Sequence, residues 1–322
     1  MTQETEMVLD RRQLRRSVMV WRALGIGGLA LGVGALTLGG DKLASFAKPA
    51  QIARVAIEGT ILESRDQLRM FDKIAADDKV AAVLVYVNSP GGTTTGGEAI
   101  YEAIRLVAKK KPVVAQFGTV AASAGYIVGL SADHIIARGN TITGSVGVIA
   151  QWPEVASLLE KLGVKVNEIK SGVLKAVPSP FIPLEDGARQ VTQNMVNEGF
   201  RWFVALVEAR RGVKAAEITG LEQGRIFSGR EALTQKLVDE IGGEGEAVAW
   251  LESKRGVAKD LKVIDWKPTH DADWGVSRAS VSLSGSSMGE AAAGMVRALG
   301  RDTRLETLTL DGLVSLWHPS DN

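Results

Sequence analysis

Residues 121–126 read AASAGY, a serine among alanines and glycine with no histidine close by in the chain. Ser123 reads in two ways. Small neighbours suit the tight packing of a helix start, and they equally leave room for a substrate at a nucleophilic hydroxyl. At a helix start the free amides and the dipole favour negative charge. Upstream, VNSPGG (87–92) ends an apolar run in Asn88, Pro90, Gly91 and Gly92. Glycine pairs let backbone N–H groups turn into a cavity and hold a developing oxyanion, a donor whose loss raises a barrier by about 3–4 kcal/mol. The bland alternative is a strand-to-helix turn with no chemical duty. On the chemical reading, the amides of Gly92 and Ala124 form a two-donor oxyanion hole.

A serine hydroxyl needs a base. The chain has three histidines, His134, His270 and His318, and no cysteine. His134 lies in the apolar stretch DHIIA and reads as structural; the other two fall in a less ordered tail. Lysine remains, because a Ser–Lys pair is an established variant of the nucleophile-plus-base scheme. The amine must be neutral to act, so it must be sheltered from water. IKSGVLKAVPSP (169–180) offers Lys170 and Lys175. Lys175, between Val173, Leu174, Ala176 and Val177, has the more apolar setting; its plain alternative is a solvated surface lysine.

These residues need a scaffold, and the hydrophobic pattern supplies one. ARVAIEGTIL (53–62) alternates as a strand, and 64–78 has helical spacing. VAAVLVYVN (80–88) is a continuous apolar run, typical of a strand covered on both faces. A loop over 89–97, a helix over 98–110, a strand over 112–118 and a helix from about Ala121 follow. Strands are predicted over 134–139, 144–150 and 164–170. Helices are predicted over 154–163, 187–213, 228–243 and 244–256, the third opened by Ser228 with Glu231 three positions on. The alternation predicts an α/β fold with a largely parallel sheet.

The amino terminus has a different character. Arg11, Arg12, Arg15, Arg16 and Arg22 precede an uncharged stretch from Ala23 to Gly40, which as a helix is about 27 Å long, close to the hydrocarbon thickness of a bilayer. Arginines before the span predict a cytoplasmic amino end and an extracytoplasmic body. A cleavable leader is the alternative, with SFA (45–47) as a passable cleavage site. The expected division is a basic terminus (1–22), a transmembrane anchor (23–40), a linker (41–51), a catalytic domain (52–267) and a flexible extension (268–322). The extension's apolar end, 308–319, is expected to dock. A net charge of +1 gives no sign of nucleic acid as a partner.

NSPGG, AASAGY, TGSVGV (143–148), KSGVLKAVPSP and GRIFSGREALTQKLVDEIGG (224–243) occur in the order found in the signal peptide peptidase family of serine proteases. The chain resembles the short bacterial form over roughly residues 52–260. The resemblance implies a Clp protease/crotonase-like fold of repeated β-β-α units with a mainly parallel sheet, and no cofactor. It implies Ser123 as nucleophile, Lys175 as base, Gly92 and Ala124 as oxyanion donors and Ser145 as the serine that orients the lysine. The family commonly has glycine after the nucleophile, where this chain has Ala124. Only the backbone amide is needed there. Asn88, Pro90 and Gly91 then line a groove for an extended peptide. The implied substrates are remnant signal peptides at the bacterial inner membrane, with the catalytic domain periplasmic. The implied assembly is a homo-oligomeric ring or dome in which the two dyad residues can come from different protomers. A crotonase-type acyl-CoA enzyme and a catalytically inactive membrane scaffold of the same fold are the competing readings.

Overall fold

The computed structural model describes residues 50–269 and a short strand at 314–316. The proposed anchor at 23–40 lies outside the described residues. Among those described, no helix is long and apolar enough to cross a membrane.

β1 (Gln51–Ile61), β2 (Val80–Thr93) and β3 (Val113–Ala122) form the centre of the sheet, joined by α1 (Arg65–Ala76) and α2 (Thr94–Ala108). Both β1–β2 and β2–β3 pair in parallel. α3 (Ala124–Leu130) leaves β3 and leads to β4 (His134–Ala137) and β5 (Ile142–Gly144). The first half of β3 pairs with β4 and its second half with β5, both parallel. After α4 (Ala156–Lys161) and the long α5 (Asp186–Arg211) come β6 (Ile226–Ser228), α6 (Gly229–Thr234), β7 (Glu240–Ile241), α7 (Glu244–Arg255) and β8 (Lys262–Trp266). β6 pairs antiparallel with β5, β7 parallel with β4, and β8 parallel with β1.

The central strands bury both faces, as their unbroken apolar runs require. Val55, Val83, Val85 and Phe117 share a core with Phe71, Ile104, Ile127 and Phe203 from α1, α2, α3 and α5. Ile52, Leu84 and Val114 point the other way, onto Ala247 and Leu251 of α7. The result is a mixed α/β fold with a mostly parallel sheet.

Four elements differ from their expected form. Residues 89–93 are strand rather than loop, because Gly91 and Gly92 continue pairing with Thr60 and Ile61. α2 therefore starts at Thr94, capped by Thr93 Oγ1, which accepts the Gly96 amide at 3.1 Å. The expected strand at 144–150 ends at Gly144, where Ser145 takes a positive φ of 50°. The expected strand at 164–170 has no strand pairing among the described residues and is almost wholly exposed. The helix expected over 228–243 stops at Thr234, with Lys236 at positive φ before β7.

Candidate active site

Ser123 stands where β3 becomes α3. Its backbone has φ 57° and ψ −120°, a region non-glycine residues avoid, and holding it there costs about 1–3 kcal/mol. The strain is held from both sides. The Ser123 amide donates to Gly144 O at 2.9 Å, and the Ser123 carbonyl accepts from Tyr126 and Ile127. Ser123 is 1 % exposed, and α3 behind it is entirely buried.

The far end of α3 is fixed by side chains that sequence reasoning did not single out. Arg210 of α5 donates to Leu130 O and Ala132 O, both at 2.7 Å, and Arg105 of α2 donates to Ser131 O at 2.9 Å. Burial, with Arg105 nearby, lowers the Arg210 pKa from its ordinary value. Tyr126 donates to Leu237 O at 2.7 Å, and burial pushes its phenol upward, so it stays a donor. The one signal for Arg210 was its place in the last turn of a long amphipathic helix.

The glycine-rich end of β2 is held as firmly. Ser89 Oγ donates to Gly59 O at 2.6 Å and accepts the Gly91 amide at 3.1 Å. Asn88 Oδ1 accepts the Val120 amide at 3.3 Å, so this groove candidate braces β3. Pro90 is half-buried and Gly91 buried beside it. A Cβ on Gly92 would lie 1.9 Å from Ile61 O, so only glycine lets β1 approach here. A Cβ on Gly125 would lie 2.7 Å from Ser89 O, which shows how closely the start of α3 meets the end of β2. The Ala124 amide opens α3 and so has no acceptor within the helix. α3 has seven residues, so amides rather than a long dipole must do the electrostatic work.

Ser145 and Ser123 line one cavity of about 410 Å³, together with Val146, Phe200 and Glu222. Thr143 Oγ1 donates to Ala121 O at 2.7 Å, and the Ser145 amide donates to Arg225 O at 2.9 Å. These bonds fix β5 beside the Ser123 turn.

Lys175 does not line that cavity. It lies in an exposed turn, its amide donating to Gly172 O at 3.0 Å, next to Ala176 at φ 57°. Lys170 is paired with Glu168. Around them Leu162, Val164, Ile169, Val173, Leu174 and Phe181 are all exposed. His134 stacks on Trp250 at 4.6 Å and contacts Glu240 at 3.2 Å, a structural setting at the opposite end of β3 from Ser123.

Comparison with known proteins bears on this arrangement. Residues 105–258 match the model of peptidase family S49, and residues 63–139 match the Clp protease model. The chain is 33% identical to "Protease 4" of Haemophilus influenzae over 83% of its own length and 45% of that protein's. It is 34% identical to "Putative protease slr0021" of Synechocystis sp., covering 67% of this chain and 78% of that protein. It is 33% identical to "Putative signal peptide peptidase SppA" of Enterococcus faecium, covering 70% of each. The chain thus spans less than half of the Haemophilus protein and more than two thirds of the other two.

Proposed function

The chain belongs to peptidase family S49, a family of serine peptidases, and we propose that it hydrolyses membrane-proximal peptides with Ser123 as nucleophile and Lys175 as general base. The observation that carries the reading is the strained, buried Ser123 turn sharing a cavity with Ser145 beside the Gly91–Gly92 strand end. Lysine takes the hydroxyl proton as Oγ attacks the peptide carbonyl. The carbonyl oxygen, now negative, accepts from the Gly92 and Ala124 amides. The lysine then protonates the leaving amine, and water releases the acyl group by the reverse steps.

In this reading the lysine arrives from a neighbouring copy. Exposed Lys175 sits among exposed apolar side chains, and a patch of that kind marks a protein contact. Burying the patch against a second chain gives the amine the dry setting it needs. Remnant signal peptides are the substrates favoured, because the Ala23–Gly40 span would hold the domain against the bilayer on its extracytoplasmic side. The test is hydrolysis of apolar peptides by the purified full chain. Loss of turnover in both Ser123→Ala and Lys175→Ala, with the fold intact, is expected. Full activity in Lys175→Ala would refute the dyad.

A further inference from the structure

The cavity beside Ser123 has walls of two kinds. Val146, Val148, Ile149, Val196 and Phe200 make much of it apolar, and among the described residues that line it Glu222 alone is charged. Glu222 sits in the short helical turn Leu221–Gln223, flanked by Gly220 and Gly224 in left-handed conformations. Leu221 is fully buried, and the Arg225 amide donates to Gly220 O at 3.0 Å, so the turn is held at both ends. The Arg225 carbonyl in turn accepts the Ser145 amide. The carboxylate is therefore carried on the same frame as Ser145.

Glu222 makes no ion pair among the described residues. Arg225, the nearest cation along the chain, is engaged elsewhere. Its guanidinium pairs with Glu231 at 2.9 Å, donates to Thr219 O and lies 4.8 Å over Phe227. A wholly apolar side chain in this cavity would strip water from the carboxylate and give nothing in return. Lysine and arginine suit it better, because each has an apolar stem and a cationic end.

We propose that Glu222 is a specificity-determining residue that binds lysine or arginine at the residue whose carbonyl Ser123 attacks. This rests on the serine-peptidase reading of Ser123 and names the side chain its cavity accepts. The stem packs on Val148, Val196 and Phe200, and the cation meets the carboxylate. Signal peptides carry their positive charges in a segment ahead of their apolar stretch. A cut after such a residue falls where the basic segment meets the apolar run. The rival occupant is the lysine of a second chain. A carboxylate set against a substrate cation favours one class of peptide, whereas one set against the general base acts on every peptide alike.

Two coumarin amides, Ala-Ala-Lys and Ala-Ala-norleucine, differ only in the ammonium group. The natural full chain should cleave the lysine substrate with a kcat/KM about tenfold higher. In Glu222→Gln this ratio should fall to about one, mainly through a raised KM for the lysine substrate. Glu222→Lys should favour Ala-Ala-Glu over Ala-Ala-Lys. Glu222 is exposed, so both variants should fold, and Tm checks it. Calorimetric binding of the same substrates to the uncleaving Ser123→Ala chain should show the same preference, lost in Ser123→Ala/Glu222→Gln. A natural ratio near one, a ratio kept in Glu222→Gln, or an equal loss on both substrates overturns the proposal, and the equal loss would assign Glu222 to the lysine base. If the natural chain cleaves neither substrate and takes no fluorophosphonate label on Ser123, the serine-peptidase reading fails, while the calorimetry still reports whether Glu222 selects the cation.

Discussion

Around Ser123 the polar backbone is bonded and the side chains are packed out of water; around Lys175 the chain is turn, exposed and apolar. The first region is built from strands and a helix that meet in register, with Ser89, Asn88, Thr143 and Arg210 bracing the corner. The second spends Leu162, Val164, Ile169, Val173 and Leu174 on solvent. A single chain can store the strain of the Ser123 turn because its own core offsets it. It gives Lys175 no such shelter, and the apolar surface around that lysine is uncovered. On the proposed dyad, one half of the chemistry is folded in and the other half awaits a second chain.

That contrast can be broken at either end. Ser123→Ala should abolish fluorophosphonate labelling and lower peptide turnover by at least about 10³-fold, with Tm nearly unchanged, since alanine keeps the Cβ and the same strained backbone. Labelling at another serine would remove the nucleophile assignment. Paired charges in the exposed segment around Lys175, Val173→Asp with Leu174→Asp, should prevent the proposed assembly and lower turnover by about 10²-fold or more while leaving the Tm of the separated chain within a degree or two. Light scattering and calorimetry on one sample check both halves, and an intact, active assembly would deny this segment its role.

Smaller effects sharpen the nucleophile side. Arg210→Ala strips charge-assisted bonds from the end of α3 and should cost about 2–3 kcal/mol in chemical denaturation. It should also slow labelling, since the corner it steadies is strained. The smallest effect concerns Glu231, which closes the capping box at α6 and pairs with Arg225, whose carbonyl holds the Ser145 amide. Hydrogen bonds from the Ser228 amide and hydroxyl lower the Glu231 pKa. Its contribution is thus present above the ordinary glutamate value of 4.5 and is lost as pH falls through the lower folded value. Glu231→Gln should flatten this acid limb by lowering Tm slightly at neutral pH, where the charged contribution is lost, and leaving Tm nearly unchanged at acid pH.

Much of this was legible in the residues. The run Val80–Val87 announced a strand buried on both faces, and the Ser228/Glu231 spacing announced a capping box. The long helix expected over 187–213 is present as Asp186–Arg211, stopping earlier at Gly212, which adopts the left-handed conformation a helix stop favours. Misreadings came where tertiary pairing overrides local preference. Gly91 and Gly92 look like a loop, yet β1 approaches so closely that glycine is what a strand requires there. VKVNEIK alternates as a strand should, but a strand needs a partner, and the described residues offer none at 164–170. Pairing of Val314–Leu316 with β2 joins residues more than two hundred positions apart, which no local pattern encodes. Ser123 and Ser145 stood out through their motifs, whereas Arg210 works through geometry that only the folded chain supplies.

The most direct test mixes two silent variants. Ser123→Ala and Lys175→Ala are co-expressed so that their subunits assemble together, and the label on Ser123 and peptide turnover are measured. If each site takes its serine from one protomer and its lysine from the next, random mixing restores roughly one quarter of natural activity, with the label carried on the Lys175→Ala chains. No recovery in demonstrably mixed assemblies, or full labelling of Lys175→Ala by itself, would contradict the account.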